Sequence, residues 1–126
     1  MNRQDDLDLF RALAEAARAG RACALATVVH TRGSTPRKTG TKMLVDPAVG
    51  LVGTVGGGCG EGQVLEAAAR ILAGGPAETV RVDLTEDLLS WSPAVCGGIM
   101  EVFVEAVLPP PAPAGSAGPE ADAGAP

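Results

Sequence analysis

The sequence predicts an α/β (α+β) domain: a small mixed sheet with an N-terminal helix and one central helix that follows a glycine-rich loop. Three observations predict it. Short apolar or alternating runs of strand length recur between Cys23 and Leu108. Two stretches, one before Gly20 and one from Glu61 to Leu72, place apolar residues at helical spacing. Strands divided by one long helix, with no internal repeat, fit an α/β or α+β sheet and not a solenoid.

In order along the chain, Phe10, Leu13, Ala14 and Ala17 form the apolar stripe of a first helix, with Asp5 and Asp6 ahead of it and Gly20 behind as a stop. Cys23 to Val29 is a continuous apolar run, read as a buried strand with Cys23 as a small core hydrophobe. From His30 to Gly40 the glycine and proline content predicts a loop. Thr41 to Val45 and Leu51 to Val55 flank Asp46-Pro47-Ala48-Val49-Gly50, a hairpin with a five-residue loop. The central helix carries Val64, Leu65, Ala68, Ile71 and Leu72 on one stripe and stops at Gly74-Gly75-Pro76. Thr79 to Leu84 alternates polar and apolar residues, as a half-buried strand does. A last strand, Ile99 to Leu108, sets Met100, Val102, Val104, Ala106 and Leu108 on one apolar face. Residues 1–108 therefore form one domain, and 109–126, reduced to Pro, Ala and Gly with two acids, form a disordered tail.

Composition removes several classes of function. Aromatic residues make up 2% of the 126 and the net charge is −5, so neither base stacking nor phosphate-backbone binding is served and no nucleic-acid partner is expected. No apolar run reaches the length of a membrane span, and the polar, acidic start has no apolar core of a leader. A cytoplasmic, unexported chain is expected, with no membrane partner. Three cysteines without short-range pairing are read as thiols of a reducing compartment.

The chemistry concentrates in Gly53-Thr54-Val55-Gly56-Gly57-Gly58-Cys59-Gly60-Glu61. Bare glycine backbone lets N–H groups approach a ligand, and the helix that follows adds unpaired N–H groups and the positive end of its dipole. Anions, phosphates and thiolates are favoured there. Glu61 is either a proton donor or acceptor or a first-turn acid. A second glycine-flanked thiol occurs in Cys96-Gly97-Gly98, and Arg32, Arg37, Lys38 and Lys42 gather four of the ten basic residues in one loop region. That region is either an anion-binding wall or a solvated loop. Neither a Gly-x-Gly-x-x-Gly pattern nor a Walker A lysine is present, so a dinucleotide turn and a P-loop are excluded. The cysteines are too few for a structural zinc site. A thiol-dependent redox or transfer enzyme using Cys59 is a competing reading, although the only histidine to serve it is His30.

Gly33-Ser34-Thr35-Pro36-Arg37 with Gly40-Thr41-Lys42-Met43, then the glycine-rich stretch, then Cys96-Gly97-Gly98, resemble the XdhC/CoxI family over residues 8–108. These are accessory proteins of xanthine dehydrogenase and of molybdenum carbon monoxide dehydrogenase. The resemblance implies a maturation factor, more a chaperone than an enzyme. Such a factor binds the molybdenum cofactor, as molybdopterin of either nucleotide form, protects it while its terminal sulfur is installed, and delivers it to the hydroxylase apoenzyme. A cysteine desulfurase is then a further partner. Residue by residue, it points to Gly56, Gly57, Gly58, Cys59, Glu61, Cys96, Gly97 and Gly98 around the cofactor, with Cys59 and Cys96 as candidate molybdenum contacts. Gly33, Ser34, Arg37 and Lys38 form a second wall. Longer members of the family continue into a Rossmann domain where this chain has its Pro/Ala tail, which implies a separately encoded Rossmann-domain subunit or a small domain acting alone. An exposed strand edge in so small a sheet permits a homodimer.

Overall fold

The computed structural model describes residues 3–35, 37–55, 60–83 and 98–108. Its elements run α1 (Arg3–Arg18), β1 (Cys23–Arg32), β2 (Lys42–Asp46), β3 (Gly50–Gly53), α2 (Glu61–Leu72), β4 (Glu78–Asp83) and β5 (Ile99–Val107). The strands form one five-stranded sheet in the order β3-β2-β1-β5-β4, and every pairing is antiparallel. The fold class is the expected one, and its antiparallel ladder makes it the α+β form.

The two helices cover opposite faces. On one face α2 packs against β1, β4 and β5, burying Val64, Ala67, Ala68 and Ile71 against Ala24, Ala26, Val28, Met43, Val82, Met100, Val102 and Val104. Because side chains alternate along a strand, Cys23, Leu25 and Leu44 point the other way. There they meet Leu9, Ala12, Leu13 and Ala16 of α1, which packs on β2 and β3. Each helix ends as its glycines suggest. The Arg21 N–H bonds the Ala16 carbonyl across Gly20 (φ 75°), and the Gly75 N–H bonds the Arg70 carbonyl across Gly74 (φ 108°).

Several boundaries and faces differ from expectation: β3 ends at Gly53 and not at Val55, and Leu65 of α2 is exposed while Ala67 is buried. In α1 the buried stripe is Leu9, Ala12, Leu13 and Ala16, one step round from that expected, leaving Phe10 52% exposed. Asp5 and Asp6 lie inside its first turn, where the dipole favours acids. β1 extends through His30, Thr31 and Arg32, which a polar sequence conceals but which pair with Glu101, Met100 and Ile99 of β5. The hairpin loop is Pro47 to Val49 only: Asp46 and Gly50 (φ 118°) pair across it, and the Asp46 carboxylate accepts the Ala48 N–H. Ala106 and Leu108 are exposed, since β4 begins opposite Val104 and leaves the end of β5 at the margin of the sheet.

Candidate functional site at one end of the sheet

Antiparallel pairing sorts the connections between the two ends of the sheet. β1, β3 and β4 finish, and β2 and β5 begin, at the same end: Arg32 pairs with Ile99, Asp83 pairs with Ile99, and Met43 pairs with Gly53. The start of α2 is there too, since Gly60 packs on Val82. The described ends that flank residues 33–41, 54–60 and 84–98 therefore lie at one end, and those stretches of sequence carry the three motifs. Among the described residues, the opposite end holds the hairpin turn, the links after α1 and α2, and the end of β5.

A bulge shapes the first connection. The β1–β5 register shifts between Val28 and His30, so Val29 has no partner on β5 and the strand bends before Arg32. The Gly40 N–H bonds the Val28 carbonyl at 2.7 Å and the Val28 N–H bonds that of Thr41 at 2.9 Å, returning the loop to β2. Within it Gly33 has φ 73°, the Thr35 hydroxyl donates to the Arg37 carbonyl at 3.0 Å, and Gly33, Ser34, Arg37 and Lys38 are exposed. Lys42 turns back onto the Gly40 carbonyl at 3.3 Å.

Three glycines at this end allow close approaches of the chain to itself. A Cβ on Gly98 would collide with the Arg32 and Ser34 carbonyls, so the start of β5 lies directly on the first loop. A Cβ on Gly53 would stand 2.7 Å from the Lys42 carbonyl, and one on Gly60 would meet the Val82 side chain. Gly53 and Gly60 also have φ of 84° and 78°, where side chains are strained. The bare side of each of these glycines is filled by the chain itself, so Gly98 is a packing glycine more than an open cradle.

At the start of α2, Gly60 has no side chain to cap the first-turn N–H groups, and Gly62 and Gln63 are exposed. Glu61, half-buried, accepts a hydrogen bond from the Thr54 hydroxyl. Thr54 was not singled out by sequence reasoning. Its signal was its place, seven residues before an acid on the far side of the glycine run. Gly56, Gly57, Gly58, Cys59, Cys96 and Gly97 lie outside the described residues. Among the described residues no cluster of three His, Cys, Asp or Glu side chains is set to hold a metal ion.

A part-buried ion pair lies at the opposite end. Asp46, 1% exposed, accepts from Arg21 Nε at 3.2 Å and Nη2 at 2.9 Å. These bonds, aided by the Ala48 N–H, hold its carboxyl below the usual range against the opposing effect of burial. Burial, with the Asp46 charge beside it, pushes the Cys23 thiol up, consistent with a core residue. A cavity of about 210 Å³ opens beside this pair, lined by Ala12, Glu15, Arg21, Asp46, Val49 and Val52. It shares none of the motif residues, and no buried side-chain nitrogen or oxygen among the described residues lacks a partner.

The fold defines a small α+β domain in which the strand and helix ends that flank the three sequence motifs lie at one end of an antiparallel sheet. The chain belongs to the XdhC and CoxI family, whose sequence model matches residues 16–83. That match includes the first two motifs and stops before Cys96. The chain is 35% identical over 81 residues to YqeB of Escherichia coli strain K12, described as uncharacterized, covering 64% of this chain and 15% of YqeB. A solved structure from Bacillus halodurans, described as a xanthine dehydrogenase, superposes with a TM-score of 0.64 at 33% identity, over 77% of this chain and 30% of that one. The chain thus spans less than a third of either relative.

Proposed function

We propose that this domain is a molybdenum-cofactor-binding accessory factor that matures a hydroxylase of the xanthine dehydrogenase or carbon monoxide dehydrogenase type. The observation that carries the reading is that the strand and helix ends flanking all three motifs lie at one end of the sheet. Family membership and the likeness to the Bacillus halodurans protein support it.

The described residues suit a molybdopterin. Its phosphate matches the exposed Arg37 and Lys38 and the uncapped N–H groups of α2. Cys59, joined directly to Gly60, and Cys96, two residues from Gly98, supply soft thiols of the kind that suit molybdenum. Gly56, Gly57 and Gly58 admit the ligand to backbone, while Gly33, Ser34, Gly97 and Gly98 shape the facing wall. When bound, the cofactor supplies the dithiolene-held metal centre that the hydroxylase needs. The chain's part is to bind it, shield it from water and release it, with no covalent step of its own.

On this reading the apoenzyme is the partner that receives the cofactor in the cytoplasm, a cysteine desulfurase is a second partner, and a Rossmann-domain subunit or a second copy of the chain completes the assembly. The working unit is residues 1–108.

The test is retention of molybdopterin by the purified protein, read as fluorescence of the oxidised pterin after gel filtration. Near-stoichiometric retention is expected, falling roughly tenfold or more in Cys59→Ala and in Cys96→Ala, the loss of a direct ligand contact. Undiminished retention in both variants would remove the thiols from the site, and none in the wild type would remove cofactor binding from this domain.

A further inference from the structure

We propose that Thr54 and Glu61 form a clasp across the base of the β3–α2 connection, and that Glu61 is a positioning residue there and not a contact of the cofactor. This deepens the reading of this end of the sheet as the cofactor site and rests on it.

Gly53 is fixed against the Lys42 carbonyl, and Val55 is fully buried in the core beneath α2. Thr54, between them, points away from that core, as alternation along an extended chain requires. On the far side Gly60 is fixed against Val82. A first-turn helical side chain leans toward the helix N-terminus, so the Glu61 carboxylate reaches back to the chain leaving β3. The Thr54 hydroxyl donates to Glu61 Oε2, a charge-assisted bond between residues seven positions apart. Glycine has the largest conformational freedom to lose, and a link between the two flanks removes part of that loss before any ligand arrives. The carboxylate is already engaged by the chain, so its contribution to an anionic ligand is indirect.

The two roles of Glu61 separate experimentally. A clasp needs an acceptor at residue 61 and a hydroxyl at residue 54; a cofactor or metal contact needs the charge at residue 61 and is indifferent to residue 54. Amide hydrogen exchange over residues 54–62 of the apo-protein and molybdopterin retention are measured on the same variants. Thr54→Val, which keeps the shape, and Glu61→Ala are each expected to speed exchange roughly tenfold and to weaken retention by a similar factor. The double variant is expected to be no worse than either single one. Thr54→Ser and Glu61→Gln, which keep the bond, are expected to exchange like wild type. Wild-type exchange in Thr54→Val overturns the clasp, and so do additive effects in the double variant. Loss of retention in Glu61→Gln with exchange unchanged shows the charge acting on the ligand and overturns it too. If wild-type protein retains no molybdopterin, the proposed function fails, and the exchange data still uphold or overturn the clasp.

Discussion

Asp46 shows how one buried carboxylate ties distant parts of the chain. It links the turn after α1, through Arg21, to the β2–β3 hairpin, through the Ala48 N–H. Its folded pKa is lowered, so the folded state binds fewer protons than the unfolded chain. The stabilisation is fully present above the ordinary carboxylate pKa of about 4 and is lost as pH falls through the lower folded value. Thermal melts are expected to show Asp46→Ala reduced by on the order of 10 °C at pH 7, with the gap to wild type closing below about pH 4. A gap unchanged down to pH 2 would show that packing, not the ion pair, sets it. The Asp-Pro turn was legible in the sequence because its signal is local. The Arg21 partner, 25 residues away, has no local signal and depended on the fold.

At the scale of elements, the sequence identified α1 but placed its apolar stripe on Phe10, Leu13, Ala14 and Ala17. Helical spacing admits two adjacent stripes, and the docking surface selects between them. The larger side chain at Phe10 draws attention, yet Leu9 is the one fully buried against β2 and β3. Chemical denaturation should therefore find Leu9→Ala destabilised by about 3 kcal/mol, in the range of cavity-forming substitutions. Phe10→Ala should cost less than about 1 kcal/mol, as at exposed sites; the reverse order would mean α1 docks by its other stripe. α2 was more legible: Val64, Ala68 and Ile71 of the expected stripe are buried, while Leu65 is exposed and Ala67 faces the sheet in its place. β1 was legible only up to Val29, since its last residues are held by pairing with β5 and not by their own hydrophobicity. The bulge at Val29 carries no signature that one sequence reveals.

For the whole molecule, the net charge of −5 hides a basic region at the motif end, where Arg32, Arg37, Lys38 and Lys42 lie close along the chain. If that region receives the cofactor's phosphate, molybdopterin affinity should fall with rising salt. The double substitution Arg37→Glu, Lys38→Glu should weaken binding roughly tenfold or more and flatten the salt dependence, with little change in melting temperature because both side chains are exposed. A titration series between low and physiological ionic strength checks this, and an unchanged slope would move the phosphate elsewhere. The helices, most of the strands and the three motifs are legible in the sequence, because periodicity, turn residues and glycine runs act over a few neighbouring positions. That the element ends flanking the three motifs lie at one end of the sheet was visible in the fold alone, since it follows from antiparallel pairing between strands up to about 80 residues apart. The tertiary structure also decided which glycines serve the chain itself: Gly53, Gly60 and Gly98 are bare because Lys42, Val82 and Ser34 lie against them, and those neighbours are set by strand order, not by sequence distance.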